Sequence, residues 1–326
     1  MTPIEISNMH LKTINSSWDY FADLNHSVND VDEQNIVYFK HLAKLDDDIE
    51  SIYKKFELKK NQNITNGCYL LFNNNERSLF TNIEMGRFQT ETLIKDSLSL
   101  HGPLIKQVDI VMEFIYKHSN KAYVITGKPQ RDEVWDYPMD AIREIVVNMI
   151  VHRDYSSSVH SVIKIFDDKI EFYNQGELPE DISIEDVKNG TYKSMPRNLQ
   201  IADVFKTADI IEKYGSGVKR VLKLFQEYGS KEPLFEDRLG GMVVVVYKKE
   251  PFINNEGVNE GVNEGVNEGV KSLYSLIKKH PNKKTPFFVS TLNTSVKNIE
   301  RWIKRLREEK KIEFRGASKT GGYYVK

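Results

Sequence analysis

Cysteine and long apolar runs are scarce in this chain of 326 residues. The single cysteine, Cys68, cannot form an internal disulfide, which indicates a reducing compartment, the cytoplasm. No apolar run reaches eighteen residues, and no basic start is followed by an apolar block. The sequence therefore predicts neither a membrane span nor a secretory signal. With 40% hydrophobic and 29% charged residues, the chain has the composition of a globular protein of two or three domains.

Several catalytic motifs are also missing. The eight histidines show no HExxH or Cys/His ligand spacing, which argues against a zinc site. GKP at Gly127 is not the GK[ST] of a Walker A loop, and no such loop occurs elsewhere, which argues against a helicase motor. HRD at His152 resembles a protein-kinase catalytic loop, but Val159 stands where that loop needs Asn. No glycine-rich loop or VAIK-like lysine precedes it, so the kinase interpretation is rejected.

The net charge of −1 conceals a strong asymmetry. Residues 271–326 carry 15 Lys and Arg against 4 Asp and Glu, a balance of +11. Subtracting these from the totals of 46 and 47 leaves 31 basic and 43 acidic residues before position 271, a balance of −12. A basic tail on an acidic body indicates a polyanion partner for the tail, although a solvated lysine-rich helix is the simpler alternative.

A four-residue repeat separates the two parts. NEGV occurs four times from Asn255 to Val270. Glycine at every fourth position disfavours a helix, and one valine per repeat cannot build a core. We therefore expect residues 251–270 to be a flexible linker.

The chain before the linker predicts an α/β body with mixed strands. Residues 1–60 look mostly helical. Strands are expected at GCYLLF and SLFTNIEMGRF, a helix at VDIVMEFIYKHS, a strand at KAYVITG and a helix after Asp136. Two strands joined at Asp167–Asp168 follow in SVIKIFDDKIEFYN, then two helices and the buried strand MVVVVYK.

The helix after Asp136 contains EIVVNMIVHRDY, in which Glu144, Asn148 and His152 recur at intervals of four. Residues four apart share one face of a helix, so the three form a polar stripe among Val, Ile and Met. They could be surface residues of an amphipathic helix. Because apolar residues occupy nearly every other face, a stripe that binds a ligand or a metal is the favoured interpretation.

Two glycine segments follow this helix. The strand IEFYNQG ends in Asn174 and Gly176, where a backbone can approach a ligand closely. KYGSGVKRV places Gly215 and Gly217 at the start of a helix, where free N–H groups and the helix dipole favour an anion.

This ordered set resembles the GHKL (Bergerat-type) ATP-binding fold of gyrase, Hsp90, histidine kinases and MutL. It is most similar to bacterial regulators labelled RecG-like or Schlafen/AlbA-type. The segments that carry the resemblance are AIREIVVNMIVHRDYS, IEFYNQGELPEDI, SMPRNLQIADVF, IIEKYGSGVKRV and MVVVVYK. The resemblance implies a two-layer α/β sandwich with a mixed sheet over residues 61–250, binding ATP and Mg²⁺. Residues 1–60 are similar to the region that follows an AlbA-type domain in this group.

The resemblance also implies roles for single residues. Glu144 matches the residue that positions or activates the attacking water, and Asn148 the residue that holds Mg²⁺, an ion that prefers hard oxygen ligands. Asn174 stands where the superfamily has an Asp that binds the adenine amino group, and Leu178 replaces the second glycine of that motif. The other expected nucleotide-binding residues are His152, Gly176, Lys193, Arg197, Gly215 and Gly217, with Lys193 and Arg197 in the lid segment.

Residues 271–326 read as helix, helix-turn-helix and two short strands, which resembles a winged helix-turn-helix domain. In its long helix, Ile299, Ile303 and Leu306, with Trp302, form the inward stripe. The residues expected to contact DNA are Lys297, Asn298, Arg301, Lys304 and Arg305 on this helix, and Arg315 and Lys319 in the wing. A winged helix that binds protein instead is the alternative.

The sequence thus favours a cytoplasmic, ATP-binding transcriptional regulator with a DNA-binding tail, and the resemblance implies a homodimer. Two alternatives stay open. The body could have lost nucleotide and serve only in oligomerisation, as the departures at Asn174 and Leu178 suggest, or it could be a slow ATPase with Glu144 as base.

Overall fold

The computed structural model describes residues 16–75, 77–124, 132–179, 181–191, 196–211, 217–249, 264–292, 294–309, 311–316 and 321–326. The chain divides into two compact units, Met1–Glu250 and Pro251–Lys326. Among the described residues, no helix is both long and apolar enough to cross a membrane.

The first unit is built from helices and strands in alternation. Its helices are α1 (Glu33–Ala43), α2 (Ile49–Lys55), α3 (Asn66–Phe72), α4 (Leu104–Lys117), α5 (Met139–His152), α6 (Ile184–Asn189), α7 (Leu199–Thr207) and α8 (Gly217–Glu227). Its strands are β1 (Lys59–Lys60), β2 (Asn63–Ile64), β3 (Ile83–Thr90), β4 (Leu93–Leu100), β5 (Lys121–Val124), β6 (Asp132–Trp135), β7 (Ser161–Ile165), β8 (Lys169–Gln175), β9 (Leu234–Arg238) and β10 (Gly241–Tyr247). Three short 3₁₀ turns lie at Trp18–Tyr20, Val28–Asp30 and Leu79–Thr81.

Six of these strands form one mixed sheet in the order β4-β3-β7-β8-β10-β9. Only β3 and β7 pair in parallel; the other neighbours are antiparallel. The β1–β2 and β5–β6 pairs are separate two-stranded ribbons. The expected mixed α/β body is confirmed.

One face of the sheet carries the core. Alternate residues of β7 and β8 are buried there with Val244 and Val246 of β10 and apolar residues of α4 and α5, because side chains of a strand alternate between faces. Ile163, Phe172 and Val244 lie side by side in register across the three strands. The central strands and α5 therefore hold each other in place.

The sequence predictions lack strands β4, β6 and β9 and give two helices where α6, α7 and α8 lie. The strand predicted at GCYLLF is wrong. This segment is helix α3. The Thr65 side chain accepts a hydrogen bond from the backbone N–H of Cys68 at 3.1 Å and so caps the helix. Gly67 to Phe72 are all buried, and a short apolar run buried on every side shows no period that separates helix from strand.

The segment that precedes α1 supports the start of α7. The buried Asp19 carboxylate accepts a hydrogen bond from Ile201 N at 2.9 Å, and Leu199 N donates to Ser17 Oγ at 3.2 Å. Gln200 donates to the carbonyls of Phe56 and Glu57 at 3.0 and 2.9 Å. Because Asn198 provides no side-chain cap for α7, Ser17 and Asp19 accept from two of its first backbone N–H groups. The Gln200 side chain links α7 to the end of α2.

The described residues of the second unit form three helices and a hairpin, the element order predicted from the sequence. They are α9 (Glu264–Lys279), α10 (Thr285–Leu292), α11 (Val296–Glu308), β11 (Ile312–Arg315) and β12 (Gly322–Val325). Its separate core includes Leu273, Phe288, Ile299, Ile303 and Leu306. The inward stripe predicted for the long helix is confirmed.

Helix α9 begins at Glu264, inside the NEGV repeat, whereas the sequence predicted a linker as far as residue 270. The last repeat supplies Val270 to the core beside Leu273 and Ile277. Gly269 lies against Trp302, where a Cβ would come within 2.1 Å of the indole ring. Tertiary packing therefore outweighs the low helix propensity of glycine.

Candidate functional site

The polar stripe of α5 is present as predicted. Glu144, Asn148 and His152 are half-buried, while Ile145 to Val147 and Met149 to Val151 between them are buried. Asn148 Nδ2 donates to Glu144 Oε1 at 3.1 Å. This bond links the Glu144 carboxylate to the Asn148 amide across one helical turn and so fixes the orientation of the Asn148 side chain.

Helix α8 begins directly against this pair. A Cβ at Gly217 would lie 2.9 Å from Glu144 Oε1, 3.1 Å from Asn148 Nδ2 and 3.4 Å from its Oδ1. A side chain at position 217 would therefore require the Glu144 carboxylate or the Asn148 amide to shift. The stripe therefore meets the N-terminal end of a helix, whose first N–H groups and positive dipole end favour an anion.

A second group of residues lies around Gly176, at the C-terminal end of α5. Gly176 has a φ of 122°, and a Cβ there would come within 3.3 Å of His152 O and 3.2 Å of Arg197 Nε. Arg197 Nη2 donates to Glu177 O at 2.7 Å. The loop after β8, the end of α5 and the start of α7 thus meet at one point.

The imidazole of His152 is held in its neutral form. Burial, and next the charge of Arg197, lower its pKa to about 4. At pH 7 the ring can donate one hydrogen bond and accept another, and it adds no charge to the site.

Asn174 lies on the core face of β8. The strand alternates, and Ile170, Phe172 and Asn174 are its buried positions. The side chain of Asn174 accepts a hydrogen bond from Ser161 Oγ on β7 at 2.8 Å. The Ser161–Asn174 hydrogen bond therefore lies at the end of the buried face of β8, which is otherwise apolar, two residues before Gly176.

The two groups are spaced along a single helix. Asn148 and His152 are four residues apart, which is about 6 Å along the helix axis. The first group offers hard oxygen atoms and a helix N-terminus, and the second offers a neutral imidazole, a guanidinium and a buried amide. The arrangement suits an elongated ligand with an anionic end at Gly217 and a polar ring near Asn174.

Three predicted residues lie outside the described part of the chain. They are Lys193, Gly215 and Lys319.

Two residues of the site were missed by the sequence predictions. Ser161 is a polar residue at a strand position whose alternates, Ile163 and Ile165, are core residues, and this alternation could have identified it. Asn198 Nδ2 donates to Val151 O at 2.9 Å and Arg153 O at 2.7 Å, which binds the end of α5 to α7. No sequence pattern predicts a pairing over such a separation.

On α11 the predicted cations divide into two sets. Lys297, Arg301 and Lys304 are exposed and lie on one face at helical spacing. By contrast, Arg305 is ion-paired to Glu309 at 3.1 Å and Arg315 to Glu313 at 2.5 Å. Asn298 is half-buried and donates to Thr294 Oγ1 at 3.2 Å. Among the described residues predicted to contact DNA, Lys297, Arg301 and Lys304 therefore have the most solvent-accessible charges.

Comparison with known proteins finds a family match within the first unit. Residues 159–246 match the family model HATPase_c_4, described as "Putative ATP-dependent DNA helicase recG C-terminal". The match includes Ser161, Asn174, Gly176, Arg197 and Gly217, and it begins after α5. The match indicates similarity to an ATPase-like domain family in this part of the chain.

The fold is shared with a solved structure, the DIP2311 protein from Corynebacterium diphtheriae. The TM-score is 0.62 at 15% identity, and the alignment covers 97% of this chain and 66% of that one, just under two thirds. A likeness at this identity concerns the fold alone. No curated protein matches the sequence.

Proposed function

We propose that this chain is a nucleotide-binding transcriptional regulator. Its body binds a purine nucleoside triphosphate with Mg²⁺, ATP in the family it resembles, and its C-terminal unit binds DNA as a winged helix. The observation that supports nucleotide binding most strongly is the approach of Gly217 to the Glu144–Asn148 pair.

In this proposal the phosphates lie at the start of α8, where the missing side chain of Gly217 leaves the backbone N–H groups accessible. Asn148 Oδ1 is the protein oxygen that would hold Mg²⁺, which neutralises phosphate charge when bound. Glu144, oriented by its bond to Asn148, would position a water near the terminal phosphate. The base would lie toward Asn174, His152 and Arg197.

Titration calorimetry of the full chain with nucleotide and Mg²⁺ tests this assignment. Asn148→Ala removes the metal-binding oxygen and should weaken binding at least about tenfold, or about 1.4 kcal/mol. Gly217→Val fills the phosphate position and should abolish binding. Asn63→Ala, an exposed residue of β2, is the control and should bind as the unaltered chain does. If Asn148→Ala and Gly217→Val bind the nucleotide with the Kd of the unaltered chain, the nucleotide site is wrongly assigned.

The rival function is a nucleotide-free body that only oligomerises. It is motivated by Asn174 and Leu178, where the superfamily motif has Asp and Gly. If the unaltered chain shows neither calorimetric binding nor a shift in Tm with nucleotide and Mg²⁺, the rival is favoured, since a ligand at 100 times its Kd should stabilise by about 2.7 kcal/mol.

DNA binding by the second unit is supported by the exposed row Lys297, Arg301 and Lys304 and by the +11 charge of residues 271–326. We further propose a homodimer, in which nucleotide state sets the spacing of two DNA-binding units. The setting proposed is the cytoplasm, consistent with a single cysteine that is buried as a free thiol.

A further inference from the structure

An open groove lies on the surface of the second unit, bordered by α11, by the start of α10 and by the strand β12. Its volume is about 520 Å³, a size typical of clefts that bind a ligand. The residues that line it are Thr285, Glu300, Ile303, Lys304, Arg307 and Tyr323. Thr285 is the first residue of α10, and Tyr323 lies on β12.

The residues that α11 contributes to the groove share one face of the helix. They follow the spacing i, i+3, i+4 and i+7, which brings side chains to one side: Glu300, Ile303, Lys304 and Arg307. Ile303 is buried, whereas the three charged residues are exposed. Arg305 lies two residues from Arg307, about 200° around the helix, and is not part of the groove. The sequence predicted a DNA contact for Arg305 and none for Arg307.

The cations of the groove are not engaged by neighbouring carboxylates. In the described part of the second unit, the ion pairs are formed by Glu309 and Glu313 with the cations Arg305, Lys311, Arg315 and Lys326. Lys304 and Arg307 belong to none of these pairs. Together with the exposed carboxylate of Glu300, they leave the groove with an excess of one positive charge.

The groove continues the exposed cationic row of α11, because Lys304 belongs to both. From this continuity we infer that one strand of duplex DNA enters the groove, with a backbone phosphate held between Lys304 and Arg307. Contacts to phosphates fix the position of a protein on DNA, whereas contacts to base edges specify the sequence. The inference rests on the proposed DNA binding of the second unit, and it identifies where the DNA backbone lies.

Binding of the full chain to a fluorescent duplex over a salt series tests the role of charge. Arg307→Ala should weaken binding about three- to tenfold and reduce the salt slope by about one, because one phosphate contact is lost. Arg307→Lys keeps the charge and should keep the slope. Arg305→Ala removes an ion-paired guanidinium from the other side of α11 and should change both quantities less. Glu300→Gln removes a carboxylate that repels phosphate and should tighten binding.

An uncharged block tests whether DNA enters the groove. The natural cysteine, Cys68, is buried, so a cysteine introduced at the surface can be alkylated selectively. A bulky, neutral maleimide on Thr285→Cys fills the groove without changing its charge. Labelling should weaken duplex binding by this variant at least about tenfold, or about 1.4 kcal/mol. The same label on Ser275→Cys, at an exposed position of α9, is the matched control and should have no effect. Thermal unfolding verifies that each labelled protein is folded.

The outcomes separate this inference from the proposed function. If the unaltered chain retains no duplex at low salt, the proposed DNA binding fails, and the inference with it. If the unaltered chain binds duplex but Arg307→Ala keeps its salt slope, or the label on Thr285→Cys has no effect, the inference alone is overturned. A reduced slope in Arg307→Ala, together with weaker binding after labelling of Thr285→Cys but not of Ser275→Cys, supports it.

Discussion

His152 shows how the fold gives one side chain of the stripe a property that its sequence position does not reveal. The residue continues the four-residue spacing of Glu144 and Asn148, yet it lies where α5 ends against Arg197 and the Gly176 loop. Burial and that cation keep the ring neutral. Its contribution to stability must therefore depend on pH.

The sign of that dependence follows from the two pKa values. An unfolded histidine has a pKa near 6.5, and in the fold the pKa of His152 is about 4. Between these values the unfolded chain binds more protons, so the contribution is complete above about pH 6.5 and is lost as the pH falls toward 4. Because the side chain is half-buried, we expect a loss of about 1 to 2 kcal/mol between pH 7 and 5. Denaturant unfolding at both pH values should show this loss in the unaltered chain and in His41→Gln, an exposed control, but not in His152→Gln. An equal loss in His152→Gln would contradict the assignment.

Single residues were predictable where a local period governs them. Glu144 and Asn148 could be placed together from their spacing alone, because a helix brings residues four apart onto one face. Ser161 could not be matched to Asn174 in the same way. Their contact depends on the register of two strands, and the sequence predicted the turn at Asp167–Asp168 without predicting the role of the serine. The roles of these residues in binding remain predictions.

Among the elements, α3 and α9 differ most from the sequence predictions, and for opposite reasons. In α3 an apolar run without a period forms a buried helix whose start is capped by Thr65. In α9 the unfavourable propensity of glycine is outweighed by the packing of Gly269 against Trp302. Long-range packing decides both elements, and a single sequence does not display it.

The contact at Gly269 predicts a large effect from a small change. Gly269→Ala places a Cβ 2.1 Å from Trp302 Cζ2, so the indole or the helix must shift. Overpacking of this kind is destabilising by about 1 to 3 kcal/mol. Urea unfolding of the C-terminal unit should show that loss in Gly269→Ala. Ser275→Ala, an exposed change on the same helix, should leave the transition within about 0.5 kcal/mol of the unaltered chain. If the two variants behave alike, the packing described at Trp302 is wrong.

For the molecule as a whole, the second unit is basic and the first is acidic: residues 251–326 carry 15 Lys and Arg against 8 Asp and Glu, and residues 1–250 carry 31 against 39. The second unit has its own core, and its exposed row of cations on α11 lies on the face opposite that core. Composition predicted the charge asymmetry, and the order of helix and strand patterns along the chain predicted the α/β class. The parallel pairing of β3 with β7, which crosses a long stretch of chain, could not be predicted because no local pattern records it.

The whole-molecule prediction concerns salt. If the second unit binds DNA through phosphate contacts, the logarithm of affinity for a duplex should fall linearly with the logarithm of salt concentration. Arg301→Ala and Lys304→Ala should each weaken binding and reduce that slope by about one, whereas Lys271→Ala, exposed on α9, should reduce it less. Binding of the full chain to a fluorescent duplex over a salt series measures this. No retention of DNA at low salt, or slopes unchanged in Arg301→Ala and Lys304→Ala, would exclude the proposed surface.

The packing of Gly269 against Trp302 has a consequence for changes in the number of NEGV copies. Every NEGV copy ends in the same glycine and valine, so whichever copy comes last supplies the residue beneath the indole and the valine of the core. A slippage event that adds or deletes one copy inserts or removes four codons and keeps the reading frame. Alleles with different numbers of NEGV copies should therefore encode the same C-terminal unit, joined to the first unit by a different number of residues.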